Sequence, residues 1–307
     1  MQFISFNFLW YIVKNCTKNL LMFLMPNIIN RIRKVTGTGS ATIDHDITAL
    51  VAYYKSVFDK YTRCLEATDP HLSYVKKTIV ELGPGDTIAI ALFFLAYGAA
   101  RVFCYDRFKL ITDINKNSAI ARSILHILPE KQKQELQKII SFNKKGHVEW
   151  DTNRLTYLLH TEHLSQIAKS SVDIIVSNAV LEHVQDLENL FATMSYVMKP
   201  GGLMVHAADL GSHGLHFKTP LDFLTMPDKL WRLMTYYRGA PNRARKSHYI
   251  HLAVRYGLDI LQFQTTKRFS QEEIATFKFL QPSLAAFFSE DDLSCESILF
   301  TAQKRVP

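Results

Sequence analysis

The sequence contains few cysteines, and they are scattered. Of the 307 residues only four are cysteine, at positions 16, 64, 104 and 295, so none belongs to a C-x-x-C pair. Iron–sulfur clusters need closely spaced thiolates, and small secreted domains carry regular disulfide frameworks. The sequence therefore excludes both on their usual patterns. It favours a reducing compartment, and we predict a cytoplasmic protein.

Acidic residues are missing from the start of a chain whose net charge is +8. No Asp or Glu precedes Asp44, and two apolar runs at 3–13 and 20–25 are separated by lysines. Neither run reaches the ~18 apolar residues that span a bilayer, and a secretory signal would carry its basic residues before the apolar run. Two interpretations stay open for residues 1–34: helices that cap a site, or a basic amphipathic segment in peripheral contact with an anionic membrane.

A third closely spaced glycine is missing after the first predicted strand. The apolar run at 78–82 is followed by Gly83 and Gly85, but Ile88 stands where the dinucleotide fingerprint G-x-G-x-x-G has its last glycine. Asp106 follows about twenty residues later, at the tip of a second predicted strand, where an acidic residue binds ribose hydroxyls. The pattern indicates a nucleoside-containing cofactor at the carboxyl ends of a parallel sheet. Ile88 counts against a nicotinamide dinucleotide, which stays open as an alternative.

The segment that begins at Glu81 reads E-x-G-x-G, residues 171–183 form a buried run that ends in L-E-H, and residues 199–202 read K-P-G-G before another apolar run. In this order the three segments resemble the motifs of class I S-adenosylmethionine-dependent methyltransferases. The resemblance covers about residues 75–208. It implies an α/β fold, with a Rossmann-like, mostly parallel seven-stranded sheet, helices on both faces, an N-terminal helical extension and helical insertions.

The apolar patterns also predict how the chain is organised. We assign residues 1–70 to a helical cap or membrane-associating extension and 71–307 to the methyltransferase domain, with insertions at about 107–145 and 210–247. Strands are predicted at 78–82, 101–105, 147–150, 172–177, 203–208, 258–265 and 296–303. Helices are predicted at 44–68, 88–97, 118–127, 129–140, 154–168 and 185–197.

The resemblance implies S-adenosylmethionine as the cofactor, bound by residues at the carboxyl ends of the strands. These residues are Glu81, Gly83, Gly85, Asp106, Asp151 and Asn178. The glycines would let the backbone pass close to the amino-acid moiety, which the glutamate would orient. The first aspartate would accept from both ribose hydroxyls, and the second, after the predicted third strand, from the adenine amine. The asparagine would line the methyl-donor end.

Histidines after the fourth and fifth predicted strands are the candidates for a catalytic base. His183 and His213 could each take a proton from an oxygen or nitrogen nucleophile, and we favour His183. A structural role for His183 stays open. The spacing of His206, Asp209 and His213 would also suit a metal, but it resembles an H-x-x-D-L-x-x-H stretch of related methyltransferases. We therefore expect these residues to shape the substrate pocket, and no metal.

The sequence does not identify the methyl acceptor. No nucleic-acid-binding module is recognisable, and the segment after the fourth strand, 177–180, lacks the N-P-P-Y tetrapeptide of nucleobase amino methylation. We expect a small-molecule acceptor with an oxygen, nitrogen or carbon nucleophile and no specific nucleic-acid partner. Two other functions stay open: a non-catalytic or membrane-associated binding protein that retains the fold, and an NAD-dependent oxidoreductase.

Overall fold

The computed structural model describes residues 6–25, 46–107, 110–159, 164–237 and 239–306. The helices of this part are α1 Phe6–Leu24, α2 Ile47–Glu66, α3 Ala89–Ala96, α4 Ile114–Ile127, α5 Glu130–Gln137, α6 Leu187–Val197, α7 Asp228–Thr235, α8 Lys246–Arg255, α9 Gln271–Leu280, α10 Pro282–Ala285 and α11 Glu290–Ser294. The strands are β1 Thr78–Leu82, β2 Arg101–Asp106, β3 Ile140–Phe142, β4 Val148–Trp150, β5 Leu155–Leu159, β6 Val172–Asn178, β7 Met198–Asp209, β8 Leu258–Arg268 and β9 Cys295–Lys304.

Seven of the strands form one mixed sheet in the order β5-β2-β1-β6-β7-β9-β8. The first five strands are parallel to one another, and β9 is antiparallel to both β7 and β8. The chain moves outward from β1 to β2 and β5, then returns to the other side of β1 with β6. Ligands of open α/β sheets bind at such a switch point, outside the carboxyl ends of the strands. The predicted α/β, mostly parallel seven-stranded fold is confirmed.

Helices cover both faces of the sheet, so its central strands are buried on both sides. On one face Ile79 and Ile174 pack in a cluster with residues of α2, α3 and α4, and on the other face their neighbours Val80 and Ile175 pack against α6 and α8. All eight residues of α3 are buried. A helix that is apolar all round must be enclosed, and α3 lies directly after the glycine turn, which fixes where that turn sits.

The predicted strand at 147–150 is present but does not belong to the main sheet, and the helix predicted after it is wrong. Residues 148–150 form β4, but it pairs with β3 in a separate two-stranded sheet. The outer strand beside β2 is β5 at 155–159, inside the predicted helix 154–168. Residues 155–159 read L-T-Y-L-L, and so short a run without strict alternation cannot be distinguished from part of a helix by periodicity, which explains the error.

The same error misplaced Asp151. This residue precedes β5 and lies in the turn that starts the strand, where its Oδ1 accepts from the backbone N–H of Asn153 (2.9 Å) and its carbonyl from that of Leu155 (2.9 Å). Because β5 is parallel to β2, Asp151 lies at the amino edge of the sheet, opposite Asp106. Its assignment to the cofactor site is therefore wrong. Residues 160–163, which follow β5, lie outside the described residues.

A third hydrophobic cluster lies outside the sheet layers. It joins the insertion after β7, through Phe223 and Trp231, to the helices between β8 and β9, through Phe277 and Leu293. The sequence analysis left these last helices out. Their signal was present, because Ser270 begins α9 with a capping box, S-x-x-E, in which side chain and backbone bond reciprocally.

The N-terminal helix α1 packs on this third cluster through a side that contains both apolar residues and two asparagines. Asn15 and Asn19 are buried; Asn19 donates to the carbonyl of Leu233 (2.8 Å) and accepts from the N–H of Tyr237 (2.8 Å). The opposite side of α1 exposes large apolar side chains. Of the helices in the described ranges, none has the length and apolarity to cross a membrane. Of the predicted segment 1–34, residues 1–5 and 26–34 lie outside these ranges.

Candidate functional site

The glycine turn after β1 requires glycine at two positions for different reasons. Gly83 and Gly85 have φ of +64° and +71°, which favour glycine. A Cβ at Gly83 would lie 2.3 Å from Cγ2 of Val180, so the turn is packed against the loop after β6. A Cβ at Gly85 would meet nothing within 4 Å. The backbone at Gly85 therefore borders open space at the carboxyl edge of the sheet.

Asp106 ends β2 beside this turn. Its Oδ2 accepts from the backbone N–H of Gly85 at 3.3 Å, and the N–H of Gly83 donates to the carbonyl of Tyr105 at 2.8 Å. The side chain is partly exposed. The structure thus brings together the glycine turn and the acidic residue that the sequence placed at the ends of neighbouring strands.

Glu81 lies beneath the turn and is 5 % exposed. The Sγ of Cys104 donates to its Oε2 at 3.6 Å. Burial, with a smaller contribution from the negative charge of Asp106, raises the pKa of Glu81 to about 8. Without a cation beside it, this carboxyl is therefore protonated at neutral pH.

We expect Glu81→Gln to reduce the pH dependence of stability of the cofactor-free protein. The folded carboxyl keeps its proton up to about pH 8, whereas the unfolded one loses it near 4.5, so this group's contribution to folding is complete below 4.5 and declines as pH rises to 8. The decline is on the order of 3 kcal/mol. Denaturant unfolding at pH 5 and pH 8 measures it. The same change at exposed Glu272 is the control, and an unaltered pH dependence in Glu81→Gln would contradict the prediction.

Helix α2 supplies polar groups to the same edge, which the sequence analysis did not identify. The Nζ of Lys60 donates to Oδ1 of Asn178 at 2.6 Å, and Nδ2 of Asn178 contacts the hydroxyl of Tyr53 at 3.4 Å. Partial burial lowers the pKa of Lys60. Asn178 ends β6, and Ala179 after it has a φ of +56°, rare for a residue with a side chain. Part of the predicted N-terminal extension therefore lies over the carboxyl edge.

His183 and His213 lie side by side, with ring centroids 5.1 Å apart. Asp209 contacts Nε2 of His213 through Oδ2 at 3.4 Å, and this contact raises the pKa of His213. Burial, together with His213, lowers the pKa of His183 to about 4. At neutral pH His183 is therefore neutral, and the Asp209–His213 pair favours the charged imidazolium.

Glu182 lies below this histidine pair and is 1 % exposed. Its Oε1 accepts from the backbone N–H of Asp209 at 3.1 Å, while its buried Oε2 has no hydrogen-bond partner among the described residues. Burial raises the pKa of Glu182 to about 7. The side-chain amide of Asn242 holds this loop by donating to the carbonyls of Leu181 and Val184, both at 2.8 Å.

Two other buried polar residues, His206 and Arg245, have structural roles. His206 is fully buried in β7, bonds to the hydroxyl of Ser177 through Nδ1 at 2.7 Å, and has its pKa lowered to about 3 by burial. Arg245 is buried and donates to the main-chain carbonyls of Asp292 and Leu210. His206 therefore lies inside the sheet and is not part of the His183–His213 pair.

A family model described as "Methyltransferase domain" matches residues 52–263 of this chain. No curated protein matches the sequence of this chain. The chain therefore belongs to the methyltransferase domain family, and the predicted class I S-adenosylmethionine-dependent family, with S-adenosylmethionine as methyl donor, is confirmed.

Solved structures with similar folds include several methyltransferases. An S-adenosylmethionine-dependent methyltransferase from Mesorhizobium loti is 17% identical with a TM-score of 0.41, covering 76% of this chain and 93% of its own. Phosphoethanolamine N-methyltransferase 2 of Haemonchus contortus is 14% identical, TM-score 0.47, with coverages of 89% and 60%. Geranyl diphosphate C-methyltransferase of Streptomyces coelicolor A3(2) is 13% identical, TM-score 0.47, with coverages of 81% and 77%. These values are too low to transfer a substrate or a mechanism.

Proposed function

We propose that this methyltransferase transfers the methyl group to an oxygen, nitrogen or carbon nucleophile of a small molecule by in-line displacement. The observation that supports it is the convergence of two groups of residues on the carboxyl edge of one sheet. The glycine turn and Asp106 lie at the ends of β1 and β2, and the His183–His213 pair follows β6 and β7. A donor bound at the first group would have its reactive end near the loops that carry the second.

The residues of the glycine turn fit S-adenosylmethionine. The open space in front of Gly85 leaves room for the ligand to approach the backbone, and Asp106 offers a carboxylate to the ribose hydroxyls. An ammonium group near Glu81 would favour the ionised form of that buried carboxyl. Asn178, held by Lys60, would line the methyl-donor end. The bound cofactor supplies a sulfonium with a good leaving group, so the protein mainly aligns the two reactants.

A nucleophile that carries a proton must still lose it. We propose that His213 accepts this proton, because Asp209 holds the imidazole ring of His213 and would stabilise the imidazolium that forms. His183, our preference from the sequence, has a pKa too low for an efficient base at neutral pH and would act as the neutral neighbour. The geometry thus favours the histidine with the carboxylate partner.

A titration decides between this proposal and its alternatives. Calorimetry with S-adenosylmethionine and S-adenosylhomocysteine should give one site per chain, and NADH should give none. Mass spectrometry of small molecules that co-purify with the protein would then identify candidates for the acceptor. Binding of NADH in place of S-adenosylmethionine would support the oxidoreductase. Cofactor binding without turnover of any co-purified acceptor would support a non-catalytic binding protein.

We further propose that α1 contacts an anionic membrane surface. Its solvent-facing side, here the outer face, includes Phe6, Leu9, Trp10, Val13, Leu20 and Leu24, each at least 46% exposed. These residues recur at helical spacing, opposite a buried side that contains Asn15, Asn19 and Met22, so α1 exposes large apolar side chains to solvent although its other side is packed on the protein. Lys14 and Lys18 are exposed beside them and would attract anionic headgroups.

We expect the protein to co-sediment with vesicles of phosphatidylcholine and phosphatidylglycerol, and less with phosphatidylcholine alone. Trp10→Ala should weaken the binding roughly tenfold, because it removes an apolar side chain worth about 1.5–3 kcal/mol when fully buried. Phe279, which is 84 % exposed on α9, offers a matched control, since Phe279→Ala removes an aromatic from another surface. Equal loss in both variants, or no sedimentation of the wild type, would refute contact through α1.

A further inference from the structure

A carboxylate and two imidazoles converge beside the methyl-transfer site. Each of three residues offers one ligand atom, and these atoms all lie within 4.8 Å of one another: a carboxylate oxygen of Glu182 and an imidazole nitrogen each of His183 and His213. The residues come from two loops, the turn after β6 and the segment after β7, so their meeting is a product of the fold. We infer that these three side chains bind a divalent transition-metal ion of the zinc type.

The buried oxygen of Glu182 is the independent observation that points to a ligand. Oε2 lacks a hydrogen-bond partner in the described part of the chain, and the residue is 1 % exposed. A buried acceptor without a partner costs roughly 1–3 kcal/mol, more if it is charged. A divalent cation held between the three side chains would satisfy this oxygen.

The donor set selects the class of ion. Two imidazole nitrogens and one carboxylate oxygen suit zinc and related late first-row ions, whereas Mg²⁺ and Ca²⁺ prefer oxygen. Zinc–ligand bonds of about 2.0–2.2 Å place tetrahedral ligand atoms about 3.4 Å apart, so a separation of 4.8 Å, the upper limit in this cluster, must shorten by about 1.4 Å. His213 is the exposed member and can move, and Asp209 beside it provides the carboxylate that commonly orients a ligating histidine.

Such an ion would also regulate the enzyme, and this consequence rests on the proposed function. Coordination of His213 uses the lone pair that we assign to proton transfer, so the ion and the proton compete for one nitrogen. Occupancy should therefore inhibit methyl transfer to acceptors that must be deprotonated, without preventing cofactor binding. Removal of the ion by a chelator should restore the activity.

The test is a titration of the metal-free full chain with Co²⁺, which gives visible absorption when bound, followed by displacement with Zn²⁺. We expect one ion per chain, and no competition from Mg²⁺ or Ca²⁺. His213→Ala and Glu182→Gln should each weaken binding at least tenfold, and Asp209→Asn should weaken it by about 10-fold. His251, exposed on α8, provides the control His251→Gln, which should bind normally.

Circular dichroism of each variant shows whether it folds. If Glu182→Gln does not fold, the metal affinity of His213→Ala tests the inference by itself. Wild-type protein without stoichiometric Co²⁺ binding, or His213→Ala with undiminished binding, would overturn the inference. Calorimetry with S-adenosylmethionine on the same samples tests the proposed function separately. Wild-type protein that binds S-adenosylmethionine but no Co²⁺ would refute the metal site and leave the proposed methyl transfer unaffected.

Discussion

Replacing Asp106 by alanine should weaken S-adenosylmethionine binding by roughly 10- to 150-fold. Loss of hydrogen bonds to a charged acceptor costs about 1.5–3 kcal/mol, which corresponds to that factor. Asp106 lies at the carboxyl end of β2, next to the N–H of Gly85 that it accepts from. Calorimetric titration of the folded variant measures the change directly.

The wrong assignment of Asp151 provides a matched control. Asp151 is also an aspartate next to a parallel strand, but it precedes that strand, β5, and lies at the amino edge of the sheet. Asp151→Ala should therefore leave cofactor affinity at the wild-type value. Asp106→Asn should fall between wild type and alanine, because the amide keeps one acceptor oxygen. An Asp106→Ala variant with unchanged affinity would remove this residue from the site.

The fold could be predicted where local sequence and topology agree. The glycine turn at 83–85 forces a specific backbone conformation, so the strand before it was placed correctly. The strand predicted at 203–208 lies within β7, which begins earlier, at Met198, and contains the K-P-G-G residues 199–202. The strand at 155–159 was missed because its sequence, L-T-Y-L-L, shows no strict alternation of apolar and polar residues. Its true position depends on pairing with β2, which is a long-range contact.

The site could be predicted only in part, for a similar reason. That His183 and His213 reach the same edge follows from their positions after parallel strands, but their contact depends on two loops that the sequence does not fix. The contribution of Lys60 and Tyr53 was not predictable, because they come from a helix more than a hundred residues before Asn178. His206 was grouped with His213 in one motif of the sequence, but it lies within β7, where every residue from 202 to 206 is buried, whereas His213 follows the strand.

The second large effect is expected when the residue that accepts the proton of the methyl acceptor is replaced. His213→Gln should lower the maximal rate by about 10²–10⁴-fold for an acceptor that must be deprotonated, with cofactor affinity near wild type. The glutamine keeps a polar side chain of similar reach and removes the titratable nitrogen. His251→Gln on the exposed surface of α8 is the control and should keep the full rate. Metal-free protein must be used, so that no ion occupies the imidazole.

The pH–rate profile distinguishes the two histidines. The pKa of His213 is raised above 6.5 by Asp209, so a His213 base requires activity to rise with pH across the range above 6.5. The pKa of His183 is about 4, so a His183 base would give a flat profile from pH 5 upward.

Glu182, whose pKa is about 7, would also make the rate change with pH near neutrality. A separate variant is therefore needed to assign the rising part of the pH–rate profile to one residue. If His213 is the base, the rise of the rate with pH should persist in Glu182→Gln. It should move to lower pH in Asp209→Asn, because the asparagine removes the charge that raises the pKa of His213. Wild-type rates in both His183→Gln and His213→Gln would show that neither histidine takes the proton. Alignment of the acceptor with the methyl group would then account for the catalysis.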